Sequence, residues 1–426
     1  MPKLRNQFIY QVFVRNYSKE GTLNALTADL DRLAAMNVDI LYLMPIQPIG
    51  IIGRKGEYGS PYAIKDYQAI SPDLGTLEDF STLLAEAHKK GLKVMLDIVF
   101  HHTSFDHAWI SDHPEFYHYD SNGKIRNKVE EWNDIAELNY DNPLLRRKLT
   151  DILLYWTTFG IDGFRFDVAS MLPLDFMQEA FTEIRRQKPD MIFLAESVHK
   201  EFIGFLRAHH YVGLSDSQCF QVFDICYDYD INQEFTGYLK GENDLETFRN
   251  MLRLQEVIYP VDYVKARNIE NHDIPRIQYF TQNTDKTLQW IAYCFFAKGI
   301  AFLHMGVETG TDHLSRLFEK DPLHWEDCNQ ETVFWITGLA KMKKDPIFAE
   351  NGLYRIISHK KDILHFEYEN DSEIRVGIFN VGLAKGVVNV SLPEGIYSHD
   401  ITKEPIEVRY GTLALSNIPI IFTIKK

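Results

Sequence analysis

The stretch GFRFDVAS, residues 163–170, sets an arginine and an aspartate two apart inside an otherwise apolar run. In a β-strand the side chains at i and i+2 share a face, so Arg165 and Asp167 point one way and Phe164, Phe166 and Val168 the other. A permanent cation beside a carboxylate lowers its pKa and keeps it anionic, which suits a nucleophile. A lone Arg-x-Asp also fits a purely structural ion pair, so the remaining acids decide between the two readings. Glu196 lies in the apolar FLAES, where a raised pKa suits a proton donor. Two carboxylates flanking a bond, one ionised and one protonated, are the minimum machinery for breaking an acetal through an oxocarbenium-like transition state. Asp273, in ENHDIPR, is a third acid able to steady developing positive charge. Asp97 and His102 in DIVFHH, and His272 beside Asp273, complete the group of candidates.

These residues act together only if separate elements deliver them to one place. Short β-rich runs alternate with helical stretches for most of the 426 residues, which argues for parallel strands connected by helices. Eight strand candidates fall in residues 8–14, 39–45, 92–100, 161–169, 191–197, within 219–225, 263–270 and 299–306. Eight is the strand count of a (β/α)8 TIM barrel, whose chemistry gathers at the C-terminal ends of its strands, where all of the candidate acids lie. Residues 101 to about 140 lack a helical period and are too long for a plain connection, so they read as an excursion inserted after the third strand. After about Glu350 the helices stop and further strand-like runs follow. The expected fold class is therefore α/β: a TIM barrel with a short insertion after the third strand and a small C-terminal antiparallel β domain. The boundaries are 1–102 for the first part of the barrel, 103–140 for the insertion, 141–349 for the rest of the barrel and 350–426 for a β-sandwich-like C-terminal domain.

A formal net charge of -15 repels phosphate backbones and anionic lipid, so neither nucleic acid nor a membrane surface is an expected partner. The N-terminal apolar run is interrupted by Gln11 and stopped by Arg15, unlike a signal peptide, and no transmembrane span is visible. Four scattered cysteines without a Cys-x-x-Cys pair do not make a disulfide framework. Together these features lead us to expect a cytoplasmic protein, with its oligomeric state open. His101, His102, His107, His113 and His118 invite a metal reading, but their spacing matches no compact zinc motif, and no metal ligands are assigned.

In order, the chain contains NVDILYLMPI (37–46), SPYAIKDYQAI (60–70), DIVFHH (97–102), AELNYDNP (136–143), GFRFD (163–167), LAES (194–197), ENHDIPR (270–276) and GIAFLHMGVE (299–308). This ordered set resembles the α-amylase family of glycoside hydrolases over nearly the whole chain. The resemblance implies Asp167 as nucleophile, Glu196 as general acid/base and Asp273 as transition-state stabiliser. It also implies that Arg165, His102 and His272 hold the sugar and its nucleophile, that Tyr62 stacks on the pyranose ring and that Asp97 supports the site. The family is retaining, for which the two catalytic carboxyl groups stand about 5–5.5 Å apart.

Two departures matter. The family commonly has a calcium-ligating Asn where this chain has His101, and imidazole is a poor ligand for a hard cation. No cofactor is therefore expected, and no calcium at that place. The family's frequent Lys-His pair after the nucleophile is Ser170-Met171 here, which removes groups that contact an acceptor-side sugar. Efficient cutting in the middle of long starch chains is accordingly not expected. The leading expectation is a retaining hydrolase of maltooligosaccharides and α-glucans. A transglycosylase or phosphorolytic enzyme of the same family is the alternative, and a non-catalytic sugar-binding barrel is a second.

Overall fold

The computed structural model describes residues 4–129, 131–360 and 362–426. Eight parallel strands close into a barrel: β1 (Phe8–Val12), β2 (Ile40–Leu43), β3 (Lys93–Ile98), β4 (Gly163–Phe166), β5 (Ile192–Ala195), β6 (Ile225–Tyr227), β7 (Lys265–Arg267) and β8 (Ile300–His304). Each strand pairs with its sequence neighbour, and β1 pairs with both β2 and β8. Such strands are covered on both faces, which is why they read as nearly unbroken apolar runs. Inside the barrel, Ile9, Tyr42, Met95, Leu194, Tyr227 and Phe302 belong to one buried cluster, as expected of a filled core and not a pore. Outside it, helices such as Leu77–Lys89 and Pro143–Thr158 pack on the sheet. The first opens on a capping box between Thr76 and Asp79. The second starts with Pro143 behind the Asn142 cap, and left-handed Gly160 (φ 94°) follows it.

One strand lies later than the sequence suggests. The run 219–225 is apolar enough for a strand, yet Ser215 and Gln218 form a capping box that starts a helical turn at Asp216–Cys219. The strand therefore begins only at Ile225. Local side-chain capping overrides a short apolar run whose period is ambiguous.

In the inserted segment, His102–Ser104 pairs antiparallel with Ile135–Glu137, so the excursion leaves and re-enters the barrel through a two-stranded ribbon. Beyond the barrel, two four-stranded antiparallel sheets form the C-terminal domain. The first is built from Leu353–Ile357, Leu364–Glu369, Glu373–Phe379 and Ile420–Lys425. Its Phe366, Tyr368 and Phe379 share one buried cluster with Phe296 and Phe348, so this sheet and the barrel have a common core. Among the described residues no helix is long and apolar enough to cross a membrane.

Candidate active site

Strand pairing sets the site's floor. Asp97 on β3 lies in register with Arg165 on β4, and Arg165 with Leu194 on β5. The ladder continues one residue past the strands, with Asp167 N–H donating to Ile98 O and Glu196 N–H to Phe166 O, each at 3.0 Å. The side chains of Asp167 and Glu196 thus leave rigid backbone at the barrel mouth.

Arg165 is fully buried and lies within reach of three carboxylates. Its Nη1 donates to both oxygens of Asp97 at 2.8 and 2.9 Å and to Asp167 Oδ1 at 3.1 Å. Its Nη2 lies 2.8 Å from Glu196 Oε1, as an ion pair too poorly aligned to count as a hydrogen bond. The rings of Tyr62 and Tyr227 flank the guanidinium, with centroids at 5.7 and 5.3 Å. Asp97 is completed by a 2.6 Å hydrogen bond from Tyr42. Arg165 and Asp97 accordingly sit beneath the cavity and do not line it.

The expectation that Arg165 holds Asp167 below the usual carboxylate range is not met. Burial pushes the Asp167 carboxyl well up, repulsion from Glu196 adds to this, and the attraction of Arg165 only partly offsets it. Asp97 is likewise pushed up to about 6 by burial. The Asp167 and Asp97 carboxyls therefore keep their protons to higher pH than isolated acids would.

The residue after Asp167 is unusual in its backbone. Val168 is β-branched yet left-handed, with φ 38° and ψ 48°. Such a conformation costs on the order of 1–3 kcal/mol and persists only where the surroundings enforce it. Here it accompanies a short hydrogen bond, Val168 N–H to Glu196 Oε2 at 2.7 Å, so the chain next to one acid anchors the other. Ser170, one of the two departures noted above, accepts from Val198 N–H at 3.1 Å and ties the segment after Glu196 to the segment after Asp167.

The histidines are neutral, with their tautomers set by their partners. His102 Nε2–H donates to Tyr62 O at 3.0 Å, which leaves its Nδ1 to accept from His101 Nδ1–H, also at 3.0 Å. Burial lowers His102 to about 4. His272 Nδ1 accepts from the Gln11 amide at 3.0 Å, and Gln11 Oε1 in turn accepts from His304 Nδ1–H at 2.8 Å. The His272 proton is thereby on Nε2, which faces Tyr62 Oη at 2.6 Å and Asp273 Oδ2 at 3.1 Å. Burial and Arg165 lower His272 to about 3. Its ring stacks on that of Tyr62, with centroids 5.4 Å apart.

A cavity of about 580 Å3 brings the candidates together, with Tyr62, His102, Asp167, Glu196, His272 and Asp273 all on its surface. Asp273 is the most open of the acids, its side chain 48 % exposed. Trp132, Phe202 and Tyr229 add aromatic surface that the sequence reading did not single out. Gln11 was also missed as a site residue, although a lone amide in the apolar FIYQVFV is a visible signal.

The calcium that the resemblance implies can be tested against the residues at His101. The side-chain ammonium of Lys128 forms an ion pair with Glu137 Oε1, and the Lys128 backbone N–H donates to Glu137 Oε2 at 2.9 Å. His101 presents Nε2, a nitrogen, 3.9 Å from the same carboxylate. A hard cation needs several oxygen donors, whereas the carboxylate here is already neutralised by an ammonium. These residues do not fit calcium.

A barrel whose third, fourth, fifth and seventh strands deliver carboxylates and imidazoles to one mouth has the layout of a TIM-barrel enzyme, and its acids are of the kind that glycosidic cleavage uses. The family description "Alpha amylase, catalytic domain" matches residues 9–132 and 127–346, and "Bacterial Alpha amylase C-terminal domain" matches 355–422. The chain belongs to the α-amylase family and is an enzyme acting on O-glycosyl bonds. Its fold superposes on the crystal structure of an alpha-amylase from Lactobacillus plantarum with a TM-score of 0.96, at 38 % identity and covering 100 % of both chains. Alpha-amylase 3 of Dictyoglomus thermophilum is 27 % identical over 373 residues, 79 % of this chain and 71 % of that one. An alpha-1,4-glucan:maltose-1-phosphate maltosyltransferase of Picrophilus torridus is 32 % identical over 259 residues, 54 % of this chain but only 40 % of that protein.

Proposed function

We propose that this enzyme is a retaining α-glucosidic hydrolase of maltooligosaccharides and related α-glucans. The observation that supports this best is the presence of Asp167, Glu196 and Asp273, from three different strand ends, on one cavity. In this reading Asp167 Oδ attacks the anomeric carbon while Glu196 gives its proton to the glycosidic oxygen, whose bond to that carbon breaks. A covalent glycosyl-Asp167 ester and a shortened sugar result. Glu196, now a carboxylate, takes a proton from water, and the water oxygen attacks the same carbon and releases Asp167. Asp273 lies at the cavity to offset positive charge on the ring, and Tyr62 and His272 hold the sugar. Proton NMR of the first turnovers of maltopentaose tests the mechanism: the α-anomer is expected, and initial β-anomer removes it.

The maltosyltransferase relative favours a second reading, in which a sugar hydroxyl or phosphate replaces water as the acceptor. Products longer than the substrate, or a rate that depends on phosphate, decide for it. We further propose that no calcium is needed beside His101, because Lys128 supplies the positive charge there. A cytoplasmic location is part of the same reading and is supported by four free cysteines, three of them buried.

A further inference from the structure

The catalytic cavity is bounded on one side by loops tied to one another, and the topology of the barrel says which end of a substrate meets them. In a closed barrel of eight strands, β5 stands across from β1. Glu196, at the end of β5, protonates the departing oxygen, so the leaving part of the substrate lies toward β5. Val198, His199 and Phe202, which follow Glu196 in the chain, line the cavity on that side. The part that becomes bound to Asp167 points the other way, toward β1 and the loops that follow β2 and β8.

Those two loops are fastened together over β1. Arg15, buried just past β1, donates from Nη1 to Gly59 O and to Leu317 O, both at 3.2 Å, and its guanidinium lies 5.4 Å from the Tyr58 ring centroid. Tyr58 N–H donates to Phe318 O at 2.9 Å, and Glu57 N–H reaches the Glu319 carboxylate at 3.3 Å. At Gly56, a Cβ would stand 2.7 Å from Phe318 Cβ, so the loops meet without room for a side chain, and φ of 66° adds a second reason for glycine. On the far side Lys55 donates to Glu131 O at 3.1 Å and pairs with Asp134 at 2.9 Å, which ties the same loop to the inserted segment. Lys55, Ser60, Leu317 and Phe318 all line the cavity.

We infer that this three-loop wall blocks the non-reducing direction and makes the enzyme exo-acting: it releases short sugars from non-reducing ends and does not bind across the middle of a chain. The inference rests on the retaining hydrolase reading, because that reading assigns the acid and hence the direction. In an α-glucan the sugar attacked at its anomeric carbon continues toward the non-reducing end, so a wall behind it limits the number of sugars on that side.

The test compares 4-nitrophenyl maltoheptaoside with the same compound blocked by a 4,6-ethylidene group on its non-reducing sugar, with products followed by mass spectrometry. The blocked compound is expected to be cleaved at least about 100-fold more slowly, and the free one to lose short sugars stepwise. Comparable rates on both overturn the inference and leave the hydrolytic reading intact, whereas no turnover of either overturns that reading and the inference with it. The double variant Lys55→Ala/Glu319→Ala, which cuts side-chain ties of this loop to the inserted segment and to the loop after β8, is expected to raise the blocked-to-free ratio by about 10-fold. An unchanged ratio in a variant that folds, as judged by circular dichroism, counts against the wall as the cause.

Discussion

Asp167 carries the largest tension between stability and chemistry. Its folded pKa is raised, so ionising it costs more in the folded chain than in the unfolded one, where the value is about 3.9. That cost is absent below the unfolded value and complete above the folded one, so it grows as pH rises. Asp167→Asn is therefore expected to raise Tm at pH 7, with the gain vanishing near pH 3.5, while kcat falls by on the order of 10^4 or more. Calorimetry across that range checks the sign, and an equal gain at both pH values contradicts it. Gln11 makes a subtler case. Gln11→Leu leaves His272 Nδ1 without its donor, so the ring is no longer held with Nε2–H toward Tyr62 and Asp273. kcat/KM is expected to fall by roughly 10-fold for the loss of one buried hydrogen bond. A purely structural loss lowers Tm but leaves kcat/KM in place. The acids themselves were legible because they stand at strand ends in ordered motifs. The direction of the Asp167 shift was not, because an Arg two residues away in the sequence says nothing of how deeply the carboxyl is buried or of two further acids from β3 and β5 sharing the same guanidinium.

At the scale of elements, the inserted segment depends on a contact that no short motif announces. Lys128 and Glu137 are nine positions apart, and only the ribbon of 102–104 with 135–137 brings them together beside His101. Lys128→Ala strands a carboxylate that is only 3 % exposed. A cost of about 2 kcal/mol is expected, less than for a fully buried pair because Lys128 itself keeps 24 % of its side-chain exposure. Thermal unfolding should be unchanged by EDTA in the parent chain, and a drop of several degrees on chelation contradicts the assignment of Lys128 as the local cation. Most barrel strands were readable from apolar runs of four to six residues. The sixth was misplaced because helix capping at Ser215 used part of its apolar run, and the short C-terminal strands at 387–389 and 412–414 are only three residues long, too short for a period to register.

For the whole molecule, the shared core of barrel and C-terminal sheet predicts joint unfolding. Gly377 faces Phe296 so closely that a Cβ would stand 2.8 Å from the ring. Gly377→Ala is expected to destabilise by about 1–3 kcal/mol through overpacking, and to lower one calorimetric transition without splitting it in two. Two transitions, with only the smaller one shifted, contradict a common core. The Lys128–Glu137 pair has a consequence at this scale too. A bound ion contributes to stability by mass action and is lost on dilution or to any stronger competitor. A charge carried on the chain has no dissociation constant, so the inserted segment cannot lose this cation to a chelator such as citrate or on dilution.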